Sequence, residues 1–198
     1  NGIELDISVQ LRLDQIDKEI CDAMYKSGVT YVGPGIESGS PRIMKAIGKG
    51  RFESREHMKE KMELLKEYDW SIRCSYVFGM VGETEDDIMM TIDFAKELNA
   101  TENAFSILTP YPDSPLWHTA LQLGQVDEYM DFDRFLYYNS IGCNLSATPT
   151  DRLMELHKLA YSTVKSTTYT LHTEQEEREK LEQLTIDKVS TSIHLEQQ

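Results

Sequence analysis

The 198-residue sequence is poor in basic residues, with 20 Lys and Arg against 34 Asp and Glu and a formal net charge of −14. Proteins that bind phosphate backbones depend on clustered Lys and Arg, so this balance argues against nucleic acid as a partner. No apolar run approaches the ~20 residues of a membrane-spanning helix, and no signal peptide opens the sequence. We therefore expect a cytoplasmic protein without a membrane partner.

Cysteine is also scarce. The three cysteines, Cys21, Cys74 and Cys143, include no pair with Cys-x-x-Cys spacing, which excludes a zinc ribbon or a thioredoxin-like motif. Scattered thiols fit a cytosolic protein better than a disulfide scaffold, and we expect them to be buried apolar side chains. The five histidines show no ligand spacing, so we expect them on the solvated surface and predict no metal site from the residues alone.

The sequence does contain a regular alternation of strand-like and helix-like segments. Strand patterns occupy residues 3–13, 29–36, 70–79 and 103–110. Amphipathic helices are predicted over residues 15–28, 40–48, 53–69, 85–99, 114–124 and 151–165. Asp14 can cap the first, Ser40 with Pro41 starts the second, and Thr84 with Asp87 resembles a capping box at the start of the fourth. Such alternation indicates βαβ units on a parallel sheet, and hence an α/β fold. The charged stretch 173–198 is interpreted as a peripheral helix and a frayed tail.

Polar turns follow three of the predicted strands, with the sequences GIESGS, FGMVGETEDD and LTPYPDSP. The carboxyl ends of parallel strands gather at one edge of a sheet, so we expect a site for a small polar ligand there. In the first turn, the carboxylate of Glu37 could accept hydrogen bonds from an amine or from ribose hydroxyls. Alternatively, Glu37 is a helix N-terminal carboxylate favoured by the helix dipole, which is the preferred interpretation for Glu83 in the second turn.

An ordered set of motifs resembles a known family. GIESGSPRIMKAIGKG, YVFGMVGETEDD with TIDFAKEL, and LTPYPDSPLW together resemble the second half of a radical S-adenosylmethionine (SAM) enzyme core. The resemblance is to the branch often paired with a cobalamin-binding domain, or to the related methylthiotransferase branch. It implies a partial (β/α) TIM-like barrel over residues 1–124, with about four of the six parallel strands of the core, strands three to six. Residues 125–198 would form a C-terminal helical extension with a charged tail.

The resemblance also implies residues that hold SAM. Gln10 or Arg12 fills the place of a third-strand residue near the cofactor. Glu37, with Ser38, lies where a polar residue of the fourth strand contacts the nucleoside.

Four further positions follow from the same resemblance. Lys49 matches a basic position that pairs with the methionyl carboxylate, and Ser75 matches a ribose-binding side chain on the fifth strand. Gly79 opens the turn on the adenine side, and Tyr111 matches a backbone contact of the sixth strand.

The sequence departs from the family pattern in two places. Val81 replaces the proline of the usual Gly-x-Pro-Gly-Glu-Thr loop, and the cluster-binding motif Cys-x3-Cys-x2-Cys is absent from the 198 residues. We therefore expect a C-terminal portion of a longer enzyme, or else a natural protein that has lost its cluster. The full-length protein would bind SAM and a [4Fe–4S] cluster, with cobalamin in a separate domain as a further candidate.

Two classes of function remain open. In the first, the chain is part of an iron–sulfur, oxidoreductase-type enzyme that cleaves SAM to a 5′-deoxyadenosyl radical or uses it for methyl or methylthio transfer, and the 198 residues alone are inactive. In the second, it is a non-catalytic ligand-binding or scaffold domain on the same fold. The substrate is not readable from the residues.

A partial barrel also exposes the edge of its first strand, residues 4–11, so we expect self-association through that edge or an N-terminal segment folded over it.

Overall fold

The structure is a computed structural model that describes residues 5–49, 54–127, 129 and 141–165. All of these residues belong to one compact unit. The strands are β1 (Ile7–Leu11), β2 (Val29–Glu37), β3 (Ser71–Phe78) and β4 (Glu102–Ile107). The helices are α1 (Lys18–Lys26), α2 (Pro41–Ala46), α3 (Arg55–Lys66), α4 (Glu85–Leu98), α5 (Pro115–Gln122) and α6 (Thr150–Thr163), with a 3₁₀ turn at Leu13–Gln15.

The four strands form one parallel sheet in the order in which they occur along the chain. Parallel crossovers are right-handed in nearly all proteins, so an order without reversal brings the connecting helices to the same face of the sheet. Side chains of α1, α3, α4 and α6 accordingly pack with β2, β3 and β4 in one hydrophobic core. The predicted α/β class with parallel strands is confirmed, and within the described residues the sheet is open rather than closed into a barrel.

Strand β3 shows how the sheet divides its two faces. Ile72, Cys74, Tyr76 and Phe78 are buried against the helices, whereas the residues between them are half-buried on the opposite face. Side chains alternate along a strand, so register partners share a face. We call the face away from the helices the inner face, defined by Gln10, Gly33, Gly35, Ser75 and Ala104.

Helix α1 begins later than predicted. The side chain of Asp14 bonds with Arg12 at 3.0 and 2.8 Å instead of capping a helix. Asp17 is the N-cap, and its carboxylate accepts a 2.9 Å hydrogen bond from the backbone N–H of Ile20. The predicted cap at Asp14 was therefore wrong. Asp14 and Asp17 are both suitable N-cap residues by type, but the carboxylate of Asp14 bonds to Arg12 and only that of Asp17 caps the helix.

The other helix starts agree with the sequence. Ser40 caps α2, with Pro41 as its first residue. Thr84 and Asp87 form the predicted capping box of α4. These signals lie within three residues of the helix start, where sequence patterns are most informative.

Helix α6 covers the outer edge of β4 with two side chains. The hydroxyl of Tyr161 accepts from the N–H of Phe105 at 3.0 Å and donates to its carbonyl oxygen at 2.9 Å, and Nε2 of His157 lies 2.8 Å from that same oxygen. His157 is fully buried, and burial lowers the pKa of its imidazole. The expectation of a solvated histidine was thus wrong at this position. The imidazole ring bonds to the carbonyl oxygen of Phe105 at the edge of the sheet.

The predicted C-terminal extension begins after residue 124. Leu153, Leu156 and Ala160 of α6 lie in the same core as β3, and the domain boundary at residue 124 stays a prediction. The predicted charged tail, 173–198, lies outside the described residues. No helix in the described part of the chain is long and apolar enough to cross a membrane.

Candidate functional site

Lys49 and Glu37 form an ion pair at the carboxyl end of β2. The ammonium nitrogen of Lys49 lies 3.1 Å from Oε1 of Glu37 and donates a 2.8 Å hydrogen bond to the carbonyl oxygen of Gly35. The side chains of Lys49 and Glu37 are 15% and 27% exposed, so the pair is shielded but still open to solvent. A carboxylate beside an ammonium group is complementary to the two charges of a zwitterionic amino acid.

The end of α2 brings Lys49 to this position. Gly48 follows the helix with a φ of +79°, its N–H bonds to the carbonyl oxygen of Lys45, and the N–H of Lys49 bonds to that of Met44. These two bonds and the left-handed glycine form a Schellman motif. Glycine adopts this backbone at no steric cost, so the local sequence turns the chain back toward β2.

Glu37 itself has a strained backbone. Its φ is +69°, in the left-handed region that residues with a Cβ rarely adopt. Such a conformation costs on the order of 1 kcal/mol and persists where the surrounding structure holds it, often at functional sites. The N–H of Ser38 bonds to the carbonyl oxygen of Ile36 at 3.0 Å across this residue, which closes a tight turn around Glu37.

Small residues form a floor beside this ion pair on the inner face. Gly35, Ser75 and Ala104 are register partners across β2, β3 and β4, and Gly33 is the partner of Gln10. A Cβ on Gly33 would overlap the side-chain amide of Gln10, and one on Gly35 would lie 2.9 Å from Oε1 of Glu37. The two glycines therefore let these polar side chains lie over the sheet, and they allow a ligand to approach the backbone.

The turn after β3 is closed by a buried carboxyl group. Oε2 of Glu83 accepts hydrogen bonds from the N–H groups of Gly79 at 2.7 Å and Met80 at 3.2 Å. Burial raises the pKa of Glu83 to about 7, although these two bonds act to lower it. Gly79 has a φ of +84°, which requires glycine. Glu83 directly precedes the N-cap of α4, and its side chain bonds to the turn before the helix. Its interpretation as a helix-dipole carboxylate stays a prediction.

The remaining predicted residues are placed differently. Arg12 follows β1 and pairs with Asp14. Ser38 is fully buried, and its hydroxyl lies 3.0 Å from that of Thr91 on α4, so it faces the helix layer. Tyr111 is 59% exposed after β4. The structure thus brings Gln10, Glu37, Lys49 and Ser75 to the inner face and its strand ends, and the contact of each predicted residue with a ligand stays a prediction.

Residues 1–95 match the family model of the radical SAM superfamily. These residues are therefore of radical SAM type, and they make up just under half of the chain. It is 32% identical over 120 residues to an uncharacterized methyltransferase of Pyrococcus horikoshii, covering 61% of this chain and 26% of that protein. It is 32% identical over 92 residues to the ribosomal protein uS12 methylthiotransferase of Thermotoga petrophila, covering 44% of this chain and 21% of that protein. The chain spans about a quarter of the length of the curated relatives it matches.

A solved structure supports the same fold. The radical SAM methyltransferase TsrM from Kitasatospora setae, with cobalamin and a [4Fe–4S] cluster bound, superposes with a TM-score of 0.54 at 24% identity. The superposition covers 62% of this chain and 23% of that protein. At this level of identity the likeness shows the arrangement of strands and helices alone.

The three cysteines do not fit a [4Fe–4S] cluster. Cys21 is buried on α1, Cys74 is buried on the helix side of β3, and Cys143 lies in a separate apolar cluster with Trp117. Burial raises the pKa of Cys74 to about 12, which favours the thiol over the metal-binding thiolate. Within the described ranges, no group of three His, Cys, Asp or Glu side chains could hold a metal ion.

The floor of small residues and the Glu37–Lys49 pair do fit SAM. SAM carries an ammonium and a carboxylate at one end and a nucleoside at the other, and the site offers Glu37 and Lys49 beside a glycine-lined floor. The sequence predicted Glu37 and Lys49 as candidates for this site, and their role stays a prediction. It did not indicate Arg42 or Thr91, and it predicted Asp87 only as part of a helix cap. The partners of Asp87 lie 45 and 47 residues away, so no local pattern reveals them.

Proposed function

We propose that these residues supply part of the SAM site of a radical SAM enzyme. The observation that carries this proposal is the Glu37–Lys49 ion pair at the carboxyl end of β2. Ligands of parallel α/β folds bind at this end of the strands, and the family matched by residues 1–95 is named for SAM. Glu37 would accept hydrogen bonds from the ammonium or ribose of SAM, and Lys49 would pair with its carboxylate.

The other inner-face residues are given supporting roles. Ser75 would lie beneath the ribose, Gln10 would bound the site at β1, and the turn from Gly79 to Thr84 would border the adenine. Tyr111 would contribute its backbone. In this arrangement, the chain binds and orients SAM and limits the access of water to its charged end.

The chemistry itself comes from the cofactors. With a [4Fe–4S] cluster, SAM supplies a 5′-deoxyadenosyl radical, or a group for methyl or methylthio transfer. The relatives include a methyltransferase and a methylthiotransferase, so we propose transfer of one of these groups as the reaction class. The cluster would be held by residues outside those described, and cobalamin, which TsrM binds, is a candidate for a separate domain.

The test is a pair of titrations on the complete enzyme with its cluster reconstituted. Glu37→Gln removes the negative charge with little change in shape, and it should weaken SAM binding by roughly ten- to hundredfold. The denaturant midpoint should move much less, since the carboxylate is open to solvent when no ligand is bound. Glu63→Gln is the matched control, because Glu63 pairs with Lys66 on the exposed surface of α3.

Two results would contradict the proposal. If the midpoint falls sharply while SAM affinity holds, Glu37 is a structural carboxylate of the turn. If the wild-type enzyme binds no SAM, the site belongs to the alternative class, a non-catalytic ligand-binding or scaffold domain on the same fold. Consumption of bound SAM under reducing conditions separates the enzyme from a domain that only binds it.

A further inference from the structure

One buried carboxylate links the turns that follow β2 and β3. Asp87 lies in the first turn of α4 and is almost fully buried. Its Oδ1 accepts a 2.6 Å hydrogen bond from the hydroxyl of Ser40, which follows β2. Its Oδ2 accepts from the N–H of Thr84 at 2.9 Å and from the hydroxyl of Thr84 at 2.6 Å, at the end of the turn after β3.

Arg42 also links α2 to α4 and to the turn after β3. Its Nη2 forms an ion pair with Oδ2 of Asp87 and donates a 2.9 Å hydrogen bond to the carbonyl oxygen of Gly82. Arg42 belongs to α2, whereas Gly82 belongs to the turn after β3. A single guanidinium nitrogen therefore contacts both the turn after β3 and the carboxylate of α4.

A third contact fixes the turn directly after Glu37 to α4. The hydroxyl of Thr91 accepts a 2.9 Å hydrogen bond from the N–H of Gly39 and donates to the carbonyl oxygen of Asp87 at 2.9 Å. A Cβ on Gly39 would lie 2.6 Å from the carbonyl oxygen of Met90. The backbone at Gly39 thus packs directly against α4. A movement of α4 would therefore also move Glu37, two residues before Gly39.

The charge of Asp87 is maintained by these contacts. Burial alone would raise the pKa of its carboxyl group, but hydrogen bonds from Arg42, Ser40 and Thr84 outweigh burial and lower the pKa. The group is therefore ionised at neutral pH, and all four donors bond to a full negative charge.

We propose that Asp87 is a positioning residue that sets the distance between the Glu37 turn and the turn from Gly79 to Thr84. This inference rests on the proposed function, in which the first turn binds the amino-acid end of SAM and the second borders the adenine. Asp87 acts through those turns and not by contact with SAM. A ligand that bridges two subsites gains affinity over its separate halves only when the spacing of the subsites matches its length.

The experiment compares SAM with its two halves, methionine and 5′-deoxyadenosine, on the complete enzyme. Asp87→Asn keeps the shape but removes the charge that holds Arg42, and its amide nitrogen cannot accept from Thr84. We expect SAM binding to weaken by about tenfold while each half weakens by no more than about threefold. Asp93→Asn is the matched control on the same helix, because Asp93 is an exposed carboxylate that pairs with Lys96.

Amide hydrogen exchange without ligand supplies a second readout. In Asp87→Asn, the amides of Gly39 and Thr84 should exchange faster than in wild type, while those of β3 remain unchanged. If Asp87→Asn does not fold, Arg42→Gln serves instead, because Arg42 is 56% exposed and the change removes the ion pair with Asp87. It should shift SAM binding in the same direction.

The outcomes are distinct. Equal weakening of SAM and both halves, or no weakening of any, would overturn the positioning role while leaving the proposed function intact. Absence of SAM binding in the wild-type enzyme would overturn the proposed function itself, and this inference with it, before any variant is needed.

Discussion

The ammonium group of Lys49 lies 3.1 Å from the carboxylate of Glu37, although the two residues are twelve positions apart: Glu37 ends β2, and Lys49 follows α2. Two local features bring them together: the left-handed backbone of Glu37 at the end of β2, and the Schellman motif at the end of α2. Both features place charge at the strand ends, where a ligand of a parallel sheet binds.

The strained backbone of Glu37 predicts an unusual order of stabilities. Glu37→Ala loses the ion pair and keeps the strain, whereas Glu37→Gly loses both. We expect the glycine variant to be more stable than the alanine variant by about 1 kcal/mol, while both bind SAM equally weakly. Denaturant unfolding and SAM titration measure the two quantities. Asn99 caps α4 with a φ of +46°, so Asn99→Gly and Asn99→Ala should show the same order without any effect on SAM. Equal midpoints for the two Glu37 variants would contradict the strain.

The features predicted from sequence are those with short-range causes. The cap at Ser40 with Pro41, and the box of Thr84 with Asp87, depend on residues no more than three positions apart, so the pattern shows them. The alternation of strands and helices likewise follows from local periodicity, and the parallel sheet follows from the alternation.

The features that sequence could not predict depend on distant contacts. His157 is buried because its ring meets the carbonyl oxygen of Phe105, 52 residues away. Asp87 serves as a link between turns because Ser40 and Arg42 approach it from α2 and the loop before it. The local sequence around a buried His or Asp does not differ from that around a solvated one. The residue types alone therefore reveal neither the contact of His157 nor those of Asp87.

The raised pKa of Glu83 predicts a pH-dependent stability. In the unfolded chain this carboxyl ionises near its ordinary 4.5, whereas burial raises the folded pKa to about 7. Between these values the folded state binds more protons, so the free energy of unfolding should fall as the pH rises from about 4.5 to 7 and stay level above. The fall attributable to Glu83 is at most about 3 kcal/mol.

Glu83→Gln isolates this effect. Glutamine retains a carbonyl oxygen for the N–H groups of Gly79 and Met80 but does not titrate. The charged groups nearest to Glu83, Asp87 and Arg42, are the same in both proteins. Denaturant unfolding across pH 4.5 to 8 should therefore show wild type losing stability relative to the variant. A difference between the two that is independent of pH would contradict the raised pKa.

The placement of the cysteines predicts that the 198 residues alone bind no stoichiometric iron. Cys21 and Cys74 are buried in the main core and Cys143 in a second apolar cluster, so the three thiols are not placed to bind one iron–sulfur cluster. Anaerobic reconstitution followed by iron and sulfide analysis measures this. A stable [4Fe–4S] spectrum from this chain would show that the assignment of separate positions is wrong.

The two edges of the sheet predict where association occurs. His157 and Tyr161 cover the edge of β4, whereas among the described residues no strand pairs with the outer edge of β1. Open edges promote strand pairing with another chain. Light scattering on the 198 residues should show self-association, with amide protection in Ile7–Leu11 rising with concentration. A strict monomer whose β1 amides are protected at every concentration would exclude pairing between chains.

The role of Lys49 tests the central claim most directly, because an analogue of SAM exists that lacks the carboxylate that Lys49 is proposed to bind. Decarboxylated SAM lacks the carboxylate and retains the ammonium, ribose and adenine. The measurement is the dissociation constants of SAM and decarboxylated SAM for wild type and Lys49→Met in the complete enzyme, with Lys66→Met as the surface control. We predict that Lys49→Met weakens SAM by about tenfold or more and changes decarboxylated SAM by less than about threefold. Equal losses for the two ligands would show that Lys49 does not face the carboxylate, and would contradict the site.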